Sequence, residues 1–128
     1  MILELSYYNI TDNSGAKILK GIKAYKSTPQ KTLKLGKNIY GVLKHIKTEQ
    51  NTKLKLKAKE KKNSILVRTK NPIKRLDGSQ TIFFDNSVVL IDKKHNPLAS
   101  RILGAIPYDL KSIKFTGKLL LASEYITL

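Results

Sequence analysis

The sequence predicts a mainly β fold, a small barrel of five to seven short strands followed by a helical tail. Three observations lead to this prediction. Turn signals recur along the chain, short runs rich in Ile, Val, Phe and Tyr lie between them, and helical spacing occurs only near the C-terminus. The length of 128 residues predicts one domain over 1–128, and a hydrophobic fraction of 41% is enough for one core.

The predicted strands lie between residues that favour turns. The turn signals are "DNSG" at 12–15, Pro29, Gly36, Asn71-Pro72, Asp77-Gly78 and Asn96-Pro97. The runs predicted as strands are 16–26, 39–46, 65–69, 81–84 and 88–91. The first of them also fits a helical face, but Gly21 and the flanking turns favour a strand. Asp77-Gly78 lies between two strand-like runs and predicts a hairpin turn.

A lysine-rich segment, "KLKLKAKEKK" at 53–62, alternates charged and apolar residues. The lysines in alternate places are Lys53, Lys55, Lys57, Lys59 and Lys61. A period of two predicts one strand with a lysine face and an apolar face. This face either binds a polyanion or is simply a solvated strand face. Lys62 follows directly and adds to the same basic segment.

Helical spacing is confined to the segment after Pro107, which suits the first position of a helix. Asp109 lies near the positive end of that helix, and Gly117 is predicted to end or bend it. The packing residues are predicted to be Leu110, Ile113 and Phe115, with Lys111 and Lys114 pointing outward.

The charge balance indicates a polyanionic partner. Lys and Arg number 25 against 9 Asp and Glu, which gives a net charge of +16. A small folded chain with this charge repels itself unless a polyanion is near. The longest apolar run, 119–122, is too short to span a membrane. The segment after Met1 has no basic stretch, so no signal or transit peptide is expected.

Catalytic and metal-binding patterns are missing from the sequence. There is no cysteine, which excludes disulfides, zinc knuckles, iron–sulfur clusters and thiol nucleophiles. There is no Gly-rich phosphate loop and no hydrolase or metalloprotease motif. The two histidines, His45 and His95, are expected in a strand and a turn. The sequence therefore predicts no enzyme, no metal site and no cofactor.

The arginines are few and concentrated. The chain has Arg68, Arg75 and Arg101 beside 22 lysines. Two of the three lie in "VRTKNPIKR" at 67–75, with Lys70 and Lys74 between them. Since arginine contacts phosphate at two points, this loop is predicted to anchor RNA, the alternative being a solvated surface loop. Aromatic residues are few and mostly in apolar contexts, so recognition of backbone and shape in folded RNA is favoured over base stacking.

These motifs together resemble the universal large-subunit ribosomal protein family numbered fourteen, bacterial type. The stretches that carry the resemblance are "DNSGAK" at 12–17, "GIKAYK" at 21–26, "LVRTKNPIKRLDGS" at 66–79, "IFFDNSVVLID" at 82–92, "NPLASRILGAI" at 96–106 and "DLKSIKF" at 109–115. The segment 26–62 departs from the family. It lacks the Gly-rich basic loop, and Lys59-Glu60 stands near the position of the family's Gly-Asp hairpin turn. The family's "FDGN" appears as Phe84-Asp85-Asn86, one glycine short.

The resemblance implies a five-stranded closed barrel, a projecting basic hairpin at about 44–64 and short C-terminal helices at about 107–123. It implies a structural role in the large subunit, with binding to large-subunit rRNA at the intersubunit face and a bridge to small-subunit rRNA. Its implied protein partners are a neighbouring large-subunit protein, the family's usual partner being numbered nineteen, and a ribosome-silencing factor. The family's basic positions fall on Lys17, Arg68, Lys70, Lys74, Arg75, Arg101, Lys111 and Lys114.

Two other functions fit the composition. One is a free-standing basic barrel that binds single-stranded or non-specific nucleic acid. The other is a basic module attracted to anionic membranes, which no amphipathic helix supports. Abundant Lys, Ile and Asn with scarce Arg are typical of AT-rich genomes. This bias favours a protein encoded and used inside an organelle, a mitochondrion first, with a plastid or an AT-rich bacterium as alternatives.

Overall fold

The computed structural model describes residues 5–24, 33–47, 56–113 and 117–127. Nine strands occur in these residues: β1 (Tyr7–Ile10), β2 (Ala16–Ala24), β3 (Asn38–Ile46), β4 (Lys61–Arg68), β5 (Ile73–Lys74), β6 (Gln80–Thr81), β7 (Ser87–Ile91), β8 (Ile102–Pro107) and β9 (Ser123–Thr127). A 3₁₀ helix, Tyr108–Ser112, follows β8, and the short helix α1 spans Gly117–Ala122. The predicted mainly β class is confirmed.

Five of these strands close into a barrel in the order β1-β2-β3-β4-β7, and β7 returns to pair with β1. Neighbouring strands are antiparallel except for β1 and β7, which are parallel. β2 and β3 approach closely at the pair Gly21 and Gly41. A Cβ atom on Gly41 would lie 2.6 Å from the carbonyl oxygen of Lys20, so only glycine fits there. The closed five-stranded barrel is confirmed.

The barrel is filled by one apolar cluster to which all five of its strands contribute. Its buried members include Tyr8, Leu19, Leu43, Leu66 and Leu90. β4 and β7 supply alternate residues to this cluster. The residues between them are also buried, which explains the uninterrupted apolar runs 65–67 of β4 and 88–91 of β7.

A second cluster covers the outer wall of β4 and β7. Ile65, Val67 and Val89 come from the barrel, and they pack with side chains of the C-terminal segment. The C-terminal members are Ile102, Ile106, Leu110 and Leu119. β8 and β9 form a parallel pair in this layer. The helical tail is therefore short, and β strands flank it on both sides.

Most of the predicted strands are confirmed: 16–26 contains β2, 39–46 matches β3, and 88–91 lies on β7. The prediction at 65–69 lies on β4 except for its last residue, since β4 ends at Arg68. The hairpin through Asp77-Gly78 is confirmed by the pairing of β5 and β6. The strand predicted at 81–84 is wrong beyond Thr81, since β6 ends there. β8 and β9 were not predicted.

The prediction of one lysine-faced strand over 53–62 is wrong for its described part. Ala58 and Lys59 form a turn, Lys59 has φ 66°, and β4 begins only at Lys61. The amide of Glu60 donates to the carbonyl oxygen of Lys57 at 3.2 Å. Left-handed backbone at Lys59 reverses the chain so that Lys61 can pair with Val42 of β3. Lys53 and Lys55 lie outside the described residues.

The predicted arm at 44–64 lies partly within the barrel. His45 and Ile46 pair with β2, and 61–64 pairs with β3. Arm residues 48–55 lie outside the described residues. Gly117 begins helix α1, so the prediction that it ends or bends the preceding helix is wrong. Pro107 is the last residue of β8 and occupies the N-cap position of the 3₁₀ helix, so the predicted first helical position is off by one residue.

The described residues contain neither a membrane-spanning helix nor a metal-binding cluster. No helix among them is long and apolar enough to cross a membrane. No group of three or more His, Cys, Asp or Glu residues in the described ranges could hold a metal ion.

Candidate RNA-binding surface

A group of exposed lysines lies where β2, β3 and the turn before β4 meet. The amide of Lys47 donates to the carbonyl oxygen of Gly15 at 2.8 Å, and the amide of Lys59 donates to that of Leu43 at 2.9 Å. These backbone bonds hold three chain segments together. The exposed lysines they bring to one end of the barrel are Lys17, Lys44, Lys47, Lys57, Lys59 and Lys61. We call this group the basic end.

One carboxylate in the basic end is already paired. Glu60 accepts an ion pair from Lys62 at 2.8 Å. The hydrogen bond from the Lys62 ammonium, with a second from the Lys57 amide, holds the pKa of Glu60 below its usual value. Lys62 is therefore engaged by a protein carboxylate, whereas Lys57, Lys59 and Lys61 are exposed and lie next to it. The basic end can present several cations to successive phosphates.

The hairpin of β5 and β6, with the residues on either side of it, forms a second basic surface. Ile73 pairs with Thr81, and Lys74 pairs with Gln80. The amide of Phe83 donates to the carbonyl oxygen of Thr69 at 3.3 Å, which extends the two-stranded arrangement. We call residues 69–86 the ribbon. Lys70 and Lys74 are both exposed on it.

Arg68 is occupied within the protein. Its Nη2 donates to the carbonyl oxygen of Leu103, and its Nη1 lies 3.5 Å from a carboxylate oxygen of Asp85. Its side chain is only 14% exposed. Arg68 thus joins β4, the 85–87 turn and β8. The structure places this predicted RNA anchor in a structural contact.

Arg75 is also engaged by a carboxylate. Its Nε and Nη2 donate to both oxygens of Asp109, at 2.9 to 3.1 Å. These hydrogen bonds raise the pKa of Arg75. The pair joins the turn of the hairpin to the 3₁₀ helix. Asp109, expected to favour the start of a helix, is the partner that holds this arginine.

The remaining predicted residues are distributed over the surface. Lys111 is exposed, donates to the Tyr108 hydroxyl at 2.9 Å and lies 5.1 Å from that ring's centroid. The hydrogen bond to Tyr108 raises the pKa of Lys111. Arg101 is exposed. Its amide donates to the side-chain oxygen of Asn13, and its carbonyl oxygen accepts from the amide of Asn13. Lys114 lies outside the described residues.

Sequence reasoning missed the half-buried Lys20 and several exposed lysines. Lys20 lies 5.6 Å from the ring centroid of Tyr7, which is 60% exposed on the neighbouring strand. The pairing of β2 with β3 has register shifts, so the lysines of β2 do not follow a regular alternation of inward and outward side chains. The two-residue period of a strand could therefore not identify which of them reach the surface. Other exposed lysines outside the prediction are Lys23, Lys34, Lys93, Lys94 and Lys118.

Comparison with known proteins agrees with this architecture. The sequence model of the family described as ribosomal protein L14p/L23e matches residues 1–126. The large ribosomal subunit protein uL14 of Carsonella ruddii is 37% identical over 126 residues, which cover 98% of this chain and 100% of that protein. The protein uL14c of Cuscuta obtusiflora is 32% identical over 126 residues, with the same coverage.

A small β barrel with a strongly basic surface is typical of the class of proteins that associate with polyanions. Within that class, the chain belongs to the ribosomal protein L14p/L23e family. It is accordingly a structural, non-enzymatic component of the ribosome, and the predicted family resemblance is confirmed.

Proposed function

We propose that the chain is a constituent of the large ribosomal subunit that binds large-subunit rRNA near the intersubunit face and helps to form a bridge to small-subunit rRNA. The observation that carries this proposal is the basic end, where six exposed lysines from three chain segments meet. Each phosphate neutralised by a lysine releases counterions, so several adjacent lysines give strong binding that weakens with salt. The large-subunit assignment is supported by the names of the two relatives.

Two variants test the role of the basic end. Lys57→Gln with Lys59→Gln removes two cations from it, and Lys93→Gln with Lys94→Gln removes two cations from another exposed turn. Both variants lower the net charge by the same amount. Binding to large-subunit rRNA should weaken more in the first variant, with a salt slope reduced by about 0.7–0.9 for each lost phosphate contact. Equal effects would mean that net charge alone attracts RNA, which contradicts the proposed surface.

Sedimentation separates this function from its alternative. A subunit constituent travels with the large subunit through a moderate salt wash. A free-standing barrel that binds single-stranded or non-specific nucleic acid is released by the same wash and spreads over the gradient. Release from the subunit together with retained binding to arbitrary RNA would favour the alternative.

The proposed partners are a neighbouring large-subunit protein, numbered nineteen in the family's usual arrangement, and a ribosome-silencing factor. Both rest on the family resemblance. Crosslinking of assembled subunits, followed by identification of the linked chains, tests them. The chain is proposed to form one domain over its whole length.

The proposed location is an organelle ribosome, a mitochondrial one first, with plastid and bacterial ribosomes as alternatives. The support is compositional: 22 of the 25 basic residues are lysine. The two relatives carry a bacterial and a chloroplast-type name, and these names correspond to the two alternative locations. Fractionation of the source cell, followed by detection of the chain in purified organelle ribosomes, tests the location.

A further inference from the structure

One surface of the ribbon combines an exposed aromatic ring with lysines that form no ion pair to the described part of the chain. Phe84 is 100% exposed and Ile82 is 61% exposed, although both are large and apolar. Pro72, Lys70 and Lys74 are exposed as well, while the residues between them, Asn71 and Ile73, are half-buried. The alternation gives the ribbon an inner side against the protein and an outer side in solvent. We call the outer side, formed by Lys70, Pro72, Lys74, Gln80, Ile82 and Phe84, the ribbon face.

The backbone places Lys70 beside the segment that carries Phe84, and Lys74 further along the same ribbon. The amide of Lys70 donates to the side-chain oxygen of Asn86 at 2.9 Å. A second bond, from the amide of Phe83 to the carbonyl oxygen of Thr69, lies next to it. Together the two bonds place the backbone of Lys70 alongside residues 82–86. Lys74 is held opposite Gln80. The cations and the ring therefore belong to one preformed surface.

The carboxylates near the ribbon are occupied elsewhere. Asp85 contacts Arg68 and the Ser87 hydroxyl, and Asp109 holds Arg75. Asp77 accepts hydrogen bonds from the amide and the hydroxyl of Ser79. Neither Lys70 nor Lys74 forms an ion pair with any residue that the structure describes. The ribbon face is thus positively charged and apolar, with no acid of its own.

A single-stranded nucleic acid matches both properties. Its bases offer flat apolar surfaces that stack on aromatic rings, and its phosphates pair with lysines beside the ring. A protein partner would need apolar side chains with acidic residues placed against both lysines. The net charge of +16 and the lack of acids on the face favour the polyanion.

We propose that the ribbon face is a nucleobase-stacking site, at which Phe84 stacks on an unpaired base of RNA while Lys70 and Lys74 contact the flanking phosphates. This inference rests on the proposed rRNA-binding function and adds to it direct contact with an unstacked base. Because the aromatic ring is exposed in the protein without RNA, the site needs no rearrangement to receive the base.

A tryptophan reporter tests the site in the full-length chain. The sequence contains no tryptophan, so Phe84→Trp introduces a single fluorophore on the ribbon face. Titration with an eight-residue oligoadenylate should quench this fluorescence saturably. An abasic oligomer of the same length keeps the phosphates and should quench much less. Leu5→Trp places the fluorophore at another exposed position, 67% accessible, and serves as the control.

Two substitutions separate stacking from simple apolar contact. Phe84→Tyr keeps an aromatic ring and should bind oligoadenylate as the unmodified chain does. Phe84→Leu keeps an apolar side chain without a ring and should bind on the order of tenfold more weakly, the effect of losing one base–aromatic stack. Lys70→Gln with Lys74→Gln should weaken binding of the normal and the abasic oligomer alike.

Each outcome decides the proposal. Equal quenching by the normal and the abasic oligomer, or unchanged binding by Phe84→Leu, would overturn it. If Phe84→Leu binds RNA normally while Phe84→Ala fails to enter large subunits, the face docks a protein instead, and the stacking site is wrong. A chain that sediments with the large subunit but shows no base-dependent quenching refutes only this inference. A chain that binds no RNA at all refutes the proposed function as well.

Discussion

Arg68 of β4 donates a hydrogen bond from its guanidinium group to the carbonyl oxygen of Leu103 in β8. The next residue, Gly104, has φ 78°, and a Cβ atom there would lie 2.8 Å from Nη2 of Arg68. A glycine in β8 therefore leaves room for the arginine to reach the backbone. Through this contact and the one with Asp85, the arginine joins the barrel to the layer that covers it.

Replacement of Arg68 by alanine should therefore destabilise the fold. Loss of hydrogen bonds between a charged group and its partners should lower the free energy of unfolding by about 1.5–3 kcal/mol. Lys70→Ala, on the exposed face of the ribbon two residues further along, should change it by less than about 0.5 kcal/mol. Urea denaturation of both variants measures the difference. Equal stability of the two would show that Arg68 is free to serve as an RNA anchor after all.

Asp12 is a buried carboxylate, and its replacement by asparagine should destabilise the protein. Its Oδ1 accepts from the amide of Ser14 at 3.1 Å, and its Oδ2 accepts from the amide of Leu90 at 3.0 Å. The amide group of asparagine would point a donor at one of these donors. Asp12→Asn should cost about 1–3 kcal/mol because a buried N–H loses its acceptor. Thermal unfolding at neutral pH checks this cost.

The same carboxylate gives a pH dependence with a defined sign. Burial raises the pKa of Asp12 above its usual value of 3.8, against the opposing hydrogen bonds from Ser14 and Leu90. The folded state therefore binds the proton more tightly than the unfolded state. The contribution of Asp12 to stability is present in full below pH 3.8 and is lost as the pH rises through the folded-state pKa. The stability of the unmodified chain relative to Asp12→Asn should thus increase from pH 7 toward pH 4, and a decrease would contradict the burial effect.

Lys59 occupies backbone that favours glycine, with φ 66°. Left-handed backbone costs a residue with a Cβ atom roughly 1–2 kcal/mol, and glycine avoids this cost. Glycine in turn costs about 0.4–1 kcal/mol because it raises the conformational entropy of the unfolded chain. Lys59→Gly should therefore stabilise the protein by about 0.5–1 kcal/mol. Lys59→Ala removes the same charge and keeps the strain, so it should give no such gain. A gain of equal size in both variants would assign the effect to charge repulsion instead.

Leu110 is fully buried between the barrel wall and the C-terminal layer. Leu110→Ala should lower the free energy of unfolding by roughly 2–5 kcal/mol, the loss of a buried side chain plus the cavity it leaves. Lys111→Ala on the exposed side of the same 3₁₀ helix should change it by less than about 0.5 kcal/mol. An unchanged melting temperature for Leu110→Ala would mean that the C-terminal layer does not stabilise the barrel.

The fold could be predicted from sequence where strands alternate with strong turn signals. A turn signal precedes β2 and β3 and follows β4 and β7, and each of these strands carries Ile or Val. The spacing also predicted correctly that Leu110 and Ile113 pack inward and Lys111 points outward. Phe115 and Lys114, which belong to the same prediction, lie outside the described residues. β8 and β9 escaped prediction because their parallel pairing joins segments more than fifteen residues apart, which no local pattern records.

The candidate site was harder to predict, since sequence gives the charge of a residue but not its partner. Arg68 and Arg75 stand out in a lysine-rich chain, yet Asp85 and Asp109, which engage them, are distant in sequence. Phe84 has an apolar neighbour on one side and resembles a core residue, whereas the structure leaves it fully exposed. In both cases tertiary pairing decides the role.

Amide exchange distinguishes the observed turn at 57–60 from a lysine-faced strand. Neighbouring lysines on one face of a strand would be about 6.6–6.8 Å apart and would repel by about 0.6 kcal/mol per pair in water. That arrangement would make residues 50–62 exchange rapidly in the isolated chain. In the structure, the amide of Lys59 is bonded to Leu43, and the amide of Leu43 is bonded to Glu60, both at 2.9 Å.

We therefore expect slow exchange at Leu43 and Lys59 in the free protein, even at low salt, where the repulsion between lysines is strongest. Lys59→Gly keeps these two bonds and should slow exchange further, because it removes the backbone strain that favours opening. Exchange at Lys59 as fast as in an unstructured peptide would mean that the turn opens freely. The basic end would then form only on RNA.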